Sequence, residues 1–312
     1  MINNNILGLI GLAMKAGKVA FGADSVEESI LKRKVKLVIV SKESSERTKS
    51  KFSKICEKYN LEYFAVFGTA LGAVRHKGFI PWDDDIDVGM LRKDYDIFIQ
   101  VAEKEMGDKY QIMTPEIEKK YACCVTKFQR KDTKFISYLS DKLECDQCIF
   151  IDIFPFDCIA PEKKQARKQQ MITLFLDRLI YLCGSAHPII PYTGIKYYMA
   201  AGICWCVHYI AKIMHLSPRF IYRLFVKQCT KYNMIDTDVV TSFGDGSSLK
   251  YRSTVRKMFP LKKVEFENMT IEVMDNVDEH LKRTYGDYMK LPPIDQRVNH
   301  APYIIDFGDI YK

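Results

Sequence analysis

FGTALGAVRHKGFIPWDDDIDVGM, residues 67–90, sets a Gly-Thr turn ahead of four aspartates crowded into five positions. Side chains alternate faces in extended backbone, so Asp83, Asp85 and Asp87 would share one face while Asp84, Ile86 and Val88 take the other. Carboxylates at ~6–7 Å spacing on one face repel and call for a cation between them. Mg²⁺, held through one or two carboxylates plus substrate phosphates, suits that place, with Mn²⁺ as the alternative. Two blander readings compete. The acids also fall at the first ligand positions of a calcium loop, but Val88 stands where that loop needs Gly and Asp94 where it needs Glu. A solvated acidic turn accounts for the charge but not for Ile86, Val88 and Met90 alternating with the acids, which is the pattern of a half-buried strand.

Immediately upstream, LEYFAVF at 61–67 is a β-rich apolar run that ends at Gly68-Thr69. Strand, tight turn and helix are expected in that order, with Thr69 capping a helix over 70–75. The unpaired N–H groups of a first helical turn, with the dipole behind them, form an anion site, and Gly68 lets a phosphate approach the backbone. Arg75, Lys77 and Lys127 are the cations nearest in sequence and are candidates to clamp phosphate oxygens.

The stretch over 68–90 resembles the signature of the LicD family, a branch of the nucleotidyltransferase-fold superfamily. That pattern is an apolar residue, Gly, Ser or Thr, then Asp-apolar-Asp on the next strand and a third carboxylate on a later one. Gly68-Thr69 and Asp85-Ile86-Asp87-Val88 match the first two parts, and Asp152 in CIFIDIFPFD (148–157) matches the third. YACCVTKFQRKDT (121–133) around Lys127, FPLKKVEFEN (259–268) and YGDYMKLPPIDQRVNH (285–300) extend the likeness over roughly residues 60–312.

The resemblance implies an α/β (α+β) fold with a nucleotidyltransferase-type mixed sheet flanked by helices. It also implies an Mg²⁺-dependent phosphotransferase. A phosphorylated alcohol such as phosphocholine would pass from a CDP-linked donor to a hydroxyl of a cell-surface glycan (lipopolysaccharide, teichoic acid or capsule). Asp85, Asp87 and Asp152 would hold metal and carry catalysis, with Asp152 as base or base-orienting group. Gly68, Thr69, Arg75, Lys77 and Lys127 would bind substrate, Asp83 and Asp84 would support the site, and His300 reads as a surface histidine. A nucleotidyltransferase that uses CTP directly is a second enzyme reading.

Residues 1–60 fall outside that pattern and resemble the start of the kink-turn-binding ribosomal-protein fold, in its YlxQ-like branch. They hold 12 Lys and Arg against 6 Asp and Glu, whereas the other 252 residues hold 35 against 33. Basic character thus sits where an RNA-binding module would carry it, and an RNA-binding protein is the reading from a different class. Asp24 and Glu28 oppose it, standing where that family commonly has an amide and a cation. The two resemblances join near residues 59–72, with the helix over 46–59 replacing the one that normally precedes the first LicD strand.

Four parts are therefore expected: an N-terminal extension (1–60), a catalytic core (61–163), a helical insertion (164–235) and a C-terminal part of the same domain (236–312). Ten cysteines without a secretory pattern point to reduced thiols and a cytoplasmic protein, possible at the inner face of a membrane. Cys123-Cys124 and Cys145-x-x-Cys148 have spacing near that of a zinc site, but adjacent cysteines in a strand face opposite ways, so buried free thiols are expected. Helices are expected over 171–182, 197–214 and 218–232. The uncharged core at 197–211 is shorter than the ~20 residues of a bilayer span, which favours a buried insertion. A peripheral membrane contact serving a lipid-linked acceptor is the alternative, supported by Trp205 and by Lys196, Lys212 and Arg219. The loop FGDGSS at 243–248 either covers the donor site or connects two elements.

Overall fold

The computed structural model describes residues 42–83, 85–137, 140–141, 143–188, 190, 192–235, 237–244, 248–293, 297, 302 and 304–308. The expectations for residues 1–41, Asp84, the middle of the 243–248 loop and His300 lie outside the described residues.

The chain opens with α1 (Lys42–Lys58), β1 (Phe64–Ala65), α2 (Phe67–His76), β2 (Asp87–Leu91) and α3 (Arg92–Glu105). Strands β3 (Tyr110–Met113), β4 (Thr126–Arg130), β5 (Lys134–Ile136) and β6 (Ile149–Cys158) follow. Three helices come next, α4 (Lys163–Gly184), α5 (Ile195–Ile213) and α6 (Pro218–Cys229). The last part holds β7 (Val239–Ser242), β8 (Ser253–Thr254), α7 (Val255–Met258), β9 (Lys262–Phe266), β10 (Met269–Val273), α8 (Val277–Tyr285) and β11 (Ile304–Asp306).

A seven-stranded mixed sheet organises these elements, in the order β1-β2-β6-β4-β3, with β7 joining β6 and β8 joining β7. Its axis is β6, a ten-residue strand that runs parallel to β2 and antiparallel to β4 and β7. A parallel pair cannot be closed by a tight turn. The chain between β2 and β6 makes its crossover through α3 and the β3–β4 hairpin.

Period-two alternation sorts the side chains of β2 and β6 onto two faces. On one face Val88, Met90, Ile151 and Ile153 pack with Phe128 and with Phe98 of α3. Helix α1 closes that core with Phe52, Ile55 and Cys56, and Phe52 meets Phe98 and Phe128 at ring separations of 5.1 and 6.0 Å. The helix expected ahead of the first strand is thus built into the core of the sheet domain. On the other face Phe154 and Phe156 pack with Phe64, Val66, Met258 and Met274. Gly89 lies among them because a Cβ there would press on Phe64, Phe156 and Val66 at 2.6–2.8 Å.

The start of α2 differs from expectation. Val66 is the extended N-cap and Phe67 already opens the helix, so Gly68 and Thr69 lie in its first turn and Thr69 is not the cap. Phe67 itself makes the turn, at φ 45°, a conformation costly for a bulky residue and held by edge contacts with Phe154 and Tyr251, each at 4.8 Å.

The three helices over 163–229 appear where the apolar runs place them, but the expected buried insertion holds only in part. Helices α4 and α6 bury Leu176, Ile180, Ile221 and Phe225 against each other, whereas α5 buries only Ala211. Among the described residues no single helix is long and apolar enough to cross a membrane.

Candidate metal centre

Strand register builds the site. Asp87 of β2 stands opposite Asp152 of β6, and Asp152 stands opposite Lys127 of β4. The three side chains therefore form one row across adjacent strands, on the face that carries Phe154. Asp85, two residues before Asp87, completes an acidic group whose ligand oxygens all lie within 4.8 Å of one another. No other group of three or more His, Cys, Asp and Glu comes so close among the described residues.

Each member is fixed from behind. The Asp87 N–H donates to Thr69 Oγ1 at 2.8 Å, so the buried Thr69 hydroxyl ties the first turn of α2 to the first residue of β2. The Asp152 N–H donates to the Ile86 carbonyl at 2.8 Å. Lys127 Nζ donates to Asp152 Oδ1 at 2.7 Å and rests 3.2 Å from the centroid of the Phe150 ring.

Burial and mutual repulsion control the charge. Asp87 is held well above the usual carboxylate range, first by burial and then by the charges of Asp85, Asp152 and Asp83, against a smaller opposing effect of Lys127. Burial likewise lifts Asp152 from 3.8 to about 6, even with Lys127 bonded to it. Ionised together, the three carboxylates would outnumber the one ammonium by two charges, a deficit that a divalent cation would balance. The donors are all hard carboxylate oxygens, the set suited to Mg²⁺ or Mn²⁺. The residues present therefore fit a divalent metal.

The other expected residues divide. Asp83 is not part of the acidic group. Its carboxylate lies over Gly68, so closely that a Cβ on Gly68 would collide with it, and it occupies the end of α2 where phosphate was expected. Arg75 and Lys77 are engaged elsewhere, at the far end of the same helix. Arg75 donates to the Tyr288 carbonyl at 2.7 Å and to His76 Nε2 at 2.9 Å. Lys77 is the left-handed C-cap and pairs with Glu265 at 3.2 Å on the exposed surface. A helix advances ~1.5 Å per residue, which carries both about 9–12 Å along the axis from Thr69. Lys127 is the cation brought to the acids.

The four cysteines do not gather. Cys123 and Cys124 precede β4 rather than lying in a strand, the Cys124 thiol donates to Asp177 Oδ1 at 2.8 Å, and the four form no ligand group. Sequence reasoning missed Phe150, since a ring two residues before Asp152 says nothing of Lys127 until the β4–β6 register is known. It also missed the link between Thr69 and Asp87.

A mixed sheet carrying one aspartate at the start of a strand and another just before it, a third on its parallel neighbour and a Gly-Thr helix turn beside them defines a nucleotidyltransferase-type enzyme core. Comparison with known proteins agrees. Residues 60–177 match the family described as LicD/FKTN/FKRP, nucleotidyltransferase domain. The chain is 31% identical over 258 residues to the lipopolysaccharide cholinephosphotransferase LicD of Haemophilus influenzae, covering 80% of this chain and 90% of that protein. The chain belongs to the LicD family and is a transferase. Residues 4–81 match a second family, ribosomal protein L7Ae/L30e/S12e/Gadd45. The RNA-binding protein YlxQ of Enterococcus faecium is 38% identical over 64 residues, 62% of its length. The two family matches overlap over residues 60–81, which includes the Gly-Thr turn.

Proposed function

We propose that this protein transfers a phosphorylated alcohol of the phosphocholine type from a CDP-linked donor to a hydroxyl of a cell-surface glycan. The observation that carries the reading is the row Asp87–Asp152–Lys127 with Asp85 beside it, in a chain that shares 31% identity with a lipopolysaccharide cholinephosphotransferase. Asp85, Asp87 and Asp152 are the residues that would hold Mg²⁺, or Mn²⁺ in its place. Bound there, the cation supplies electrostatic neutralisation of the donor diphosphate and of the charge that grows on its leaving group.

The remaining work falls to the chain. An acceptor hydroxyl oxygen forms a bond to the phosphorus that carries the alcohol. The bond from that phosphorus to the CMP oxygen breaks, and CMP leaves. The hydroxyl proton goes to Asp152, a carboxylate that stands in the acidic group beside the reacting phosphate. Lys127 holds positive charge beside that carboxylate and donates to a phosphate oxygen. Thr69 keeps Asp87 in position from behind, and Gly68, lacking a Cβ, leaves room for the Asp83 carboxylate against the first turn of α2. Arg75 and Lys77 are left out of the phosphate clamp, given their engagements with Tyr288 and Glu265. RNA binding by residues 1–60 is not part of this reading.

Incubation with Mg²⁺, CDP-choline and a deacylated lipopolysaccharide or teichoic acid should release CMP and label the glycan. CDP-ribitol and CDP-glycerol in parallel identify the alcohol. Pyrophosphate released from CTP alone would overturn the reading in favour of direct nucleotidyl transfer. Asp85→Asn and Asp87→Asn should each abolish turnover with the fold intact, as read by circular dichroism.

A further inference from the structure

Helix α5 turns an apolar face outward. Tyr198, Met199, Ile203, Trp205, Ile210 and Ile213 are each more than half exposed, and the succession Met199, Ile203, Ile210, Ile213 keeps to one side of the helix. The inner side is held by the buried Ala211 and by His208, whose Nδ1 shares a 2.7 Å hydrogen bond with the Leu182 carbonyl. Neighbouring α4 exposes Met171 and Phe175 one turn apart. Single exposed apolar residues are ordinary on a protein surface, whereas a continuous face of this kind marks an interaction site.

Charge identifies the partner. Residues 163–232 contain 11 Lys and Arg and a single acid, Asp177, while the rest of the chain holds 36 Lys and Arg against 38 Asp and Glu. Asp177 accepts the Cys124 hydrogen bond, and Glu116 from outside the segment engages Arg223 at 2.5 Å. Lys163, Lys164, Arg167 and Lys168 at the start of α4 are exposed, and the exposed Lys196 and Lys212 bracket α5 at its two ends. Two copies meeting through this face would set like charges against each other, whereas an anionic lipid surface complements both the cations and the apolar stripe. The aromatic groups belong to the types that favour the boundary between headgroups and acyl chains. Geometry gives the orientation, since α5 is not long and apolar enough to cross alone and the chain bends by 107° into α6.

We propose that α5 lies in the plane of an anionic phospholipid bilayer, its apolar face at the acyl-chain boundary and Lys196 and Lys212 at the lipid phosphates. Such a helix binds by apolar burial and electrostatic attraction together, so both must be tested.

The test is flotation of the full chain with vesicles of phosphatidylcholine alone or with about a third phosphatidylglycerol. The protein should float with the anionic vesicles and lose about tenfold in partitioning on neutral vesicles or in high salt. Replacing Ile203→Glu together with Trp205→Glu should cost at least about tenfold on anionic vesicles, with an unchanged melting temperature. A second variant, Lys196→Glu with Lys212→Glu, leaves the apolar face intact and should lose the preference for anionic over neutral lipid. Absence of flotation on anionic vesicles overturns the proposal, as does undiminished flotation of the first variant. So does a dimer, detected by light scattering, that the first variant splits, since the face would then be covered by a second copy. The assay reads no turnover, so its failure leaves the reaction proposed above untouched.

Discussion

Replacing Asp152→Asn should make the metal-free protein more stable while removing its response to metal. Burial raises Asp152 from 3.8 to about 6, despite the 2.7 Å bond from Lys127. A carboxyl whose pKa is higher in the folded than in the unfolded chain favours the fold while it is protonated. Its contribution is whole below about pH 4 and is lost as pH rises through about 6. A shift of about two units corresponds to about 3 kcal/mol at pH 8, roughly half of which is already lost at pH 5. Asn has the same shape, still accepts the Lys127 hydrogen bond and carries no charge. Urea unfolding in EDTA should therefore find Asp152→Asn more stable at pH 8 by on the order of 1–3 kcal/mol, with the gap shrinking by about half at pH 5. Millimolar Mg²⁺ or Mn²⁺ should raise the wild-type midpoint and leave the variant almost unmoved, because ligand binding to the folded state alone stabilises it. A variant less stable than wild type at pH 8 in EDTA, or a gap indifferent to pH, would refute the reasoning.

Lys127→Met leaves Asp152 buried without its cation, so stability at pH 8 should fall by about 3 kcal/mol and largely recover at pH 5, measured by the same urea series. Its CMP release should drop by about 10²–10³-fold. Gly68→Ala suits a helix but drives a Cβ into the Asp83 carboxylate, so thermal stability should hold while CMP release falls about tenfold; full activity would show that this approach is dispensable. Arg92→Ala removes two hydrogen bonds, 2.8 and 2.6 Å, from the buried Asp157 and leaves it only the neutral Asn233 amide at 2.7 Å among its side-chain donors. It should cost about 3–5 kcal/mol in unfolding experiments while Mg²⁺ affinity, read by calorimetry on the folded fraction, stays unchanged.

Some of this architecture was written locally in the chain. The alternation of Ile86, Val88 and Met90 sets the two faces, with Asp87 on one and Val88 and Met90 on the other, although the strand opens only at Asp87, after Asp83 and Asp85, and is buried on both faces rather than half-buried. Asp152 was reached only through resemblance, since nothing in its own neighbourhood separates it from any acid in an apolar strand. The start of α2 escaped because Phe67 adopts a backbone conformation that its size disfavours, held by Phe154 and Tyr251 from 87 and 184 residues away. Arg75 looked like a phosphate ligand because its real partner, the Tyr288 carbonyl, is a backbone group with no sequence signature. Helix α5 was misread for a physical reason too. An apolar run without strong periodicity looks the same whether its face meets protein or is left outward.

The parallel pairing of β2 with β6 has a kinetic meaning. Asp87 and Asp152 are 65 residues apart, and their strands meet only after α3 and the β3–β4 hairpin have been laid down between them. Closing such a loop is entropically slow, and here the closing strands bring like charges together as well. The acidic row is accordingly expected to assemble on the native side of the folding barrier. Divalent metal in a refolding experiment would then slow unfolding and leave the folding rate unchanged, so that the ion serves as a latch on a finished sheet rather than as a seed for it.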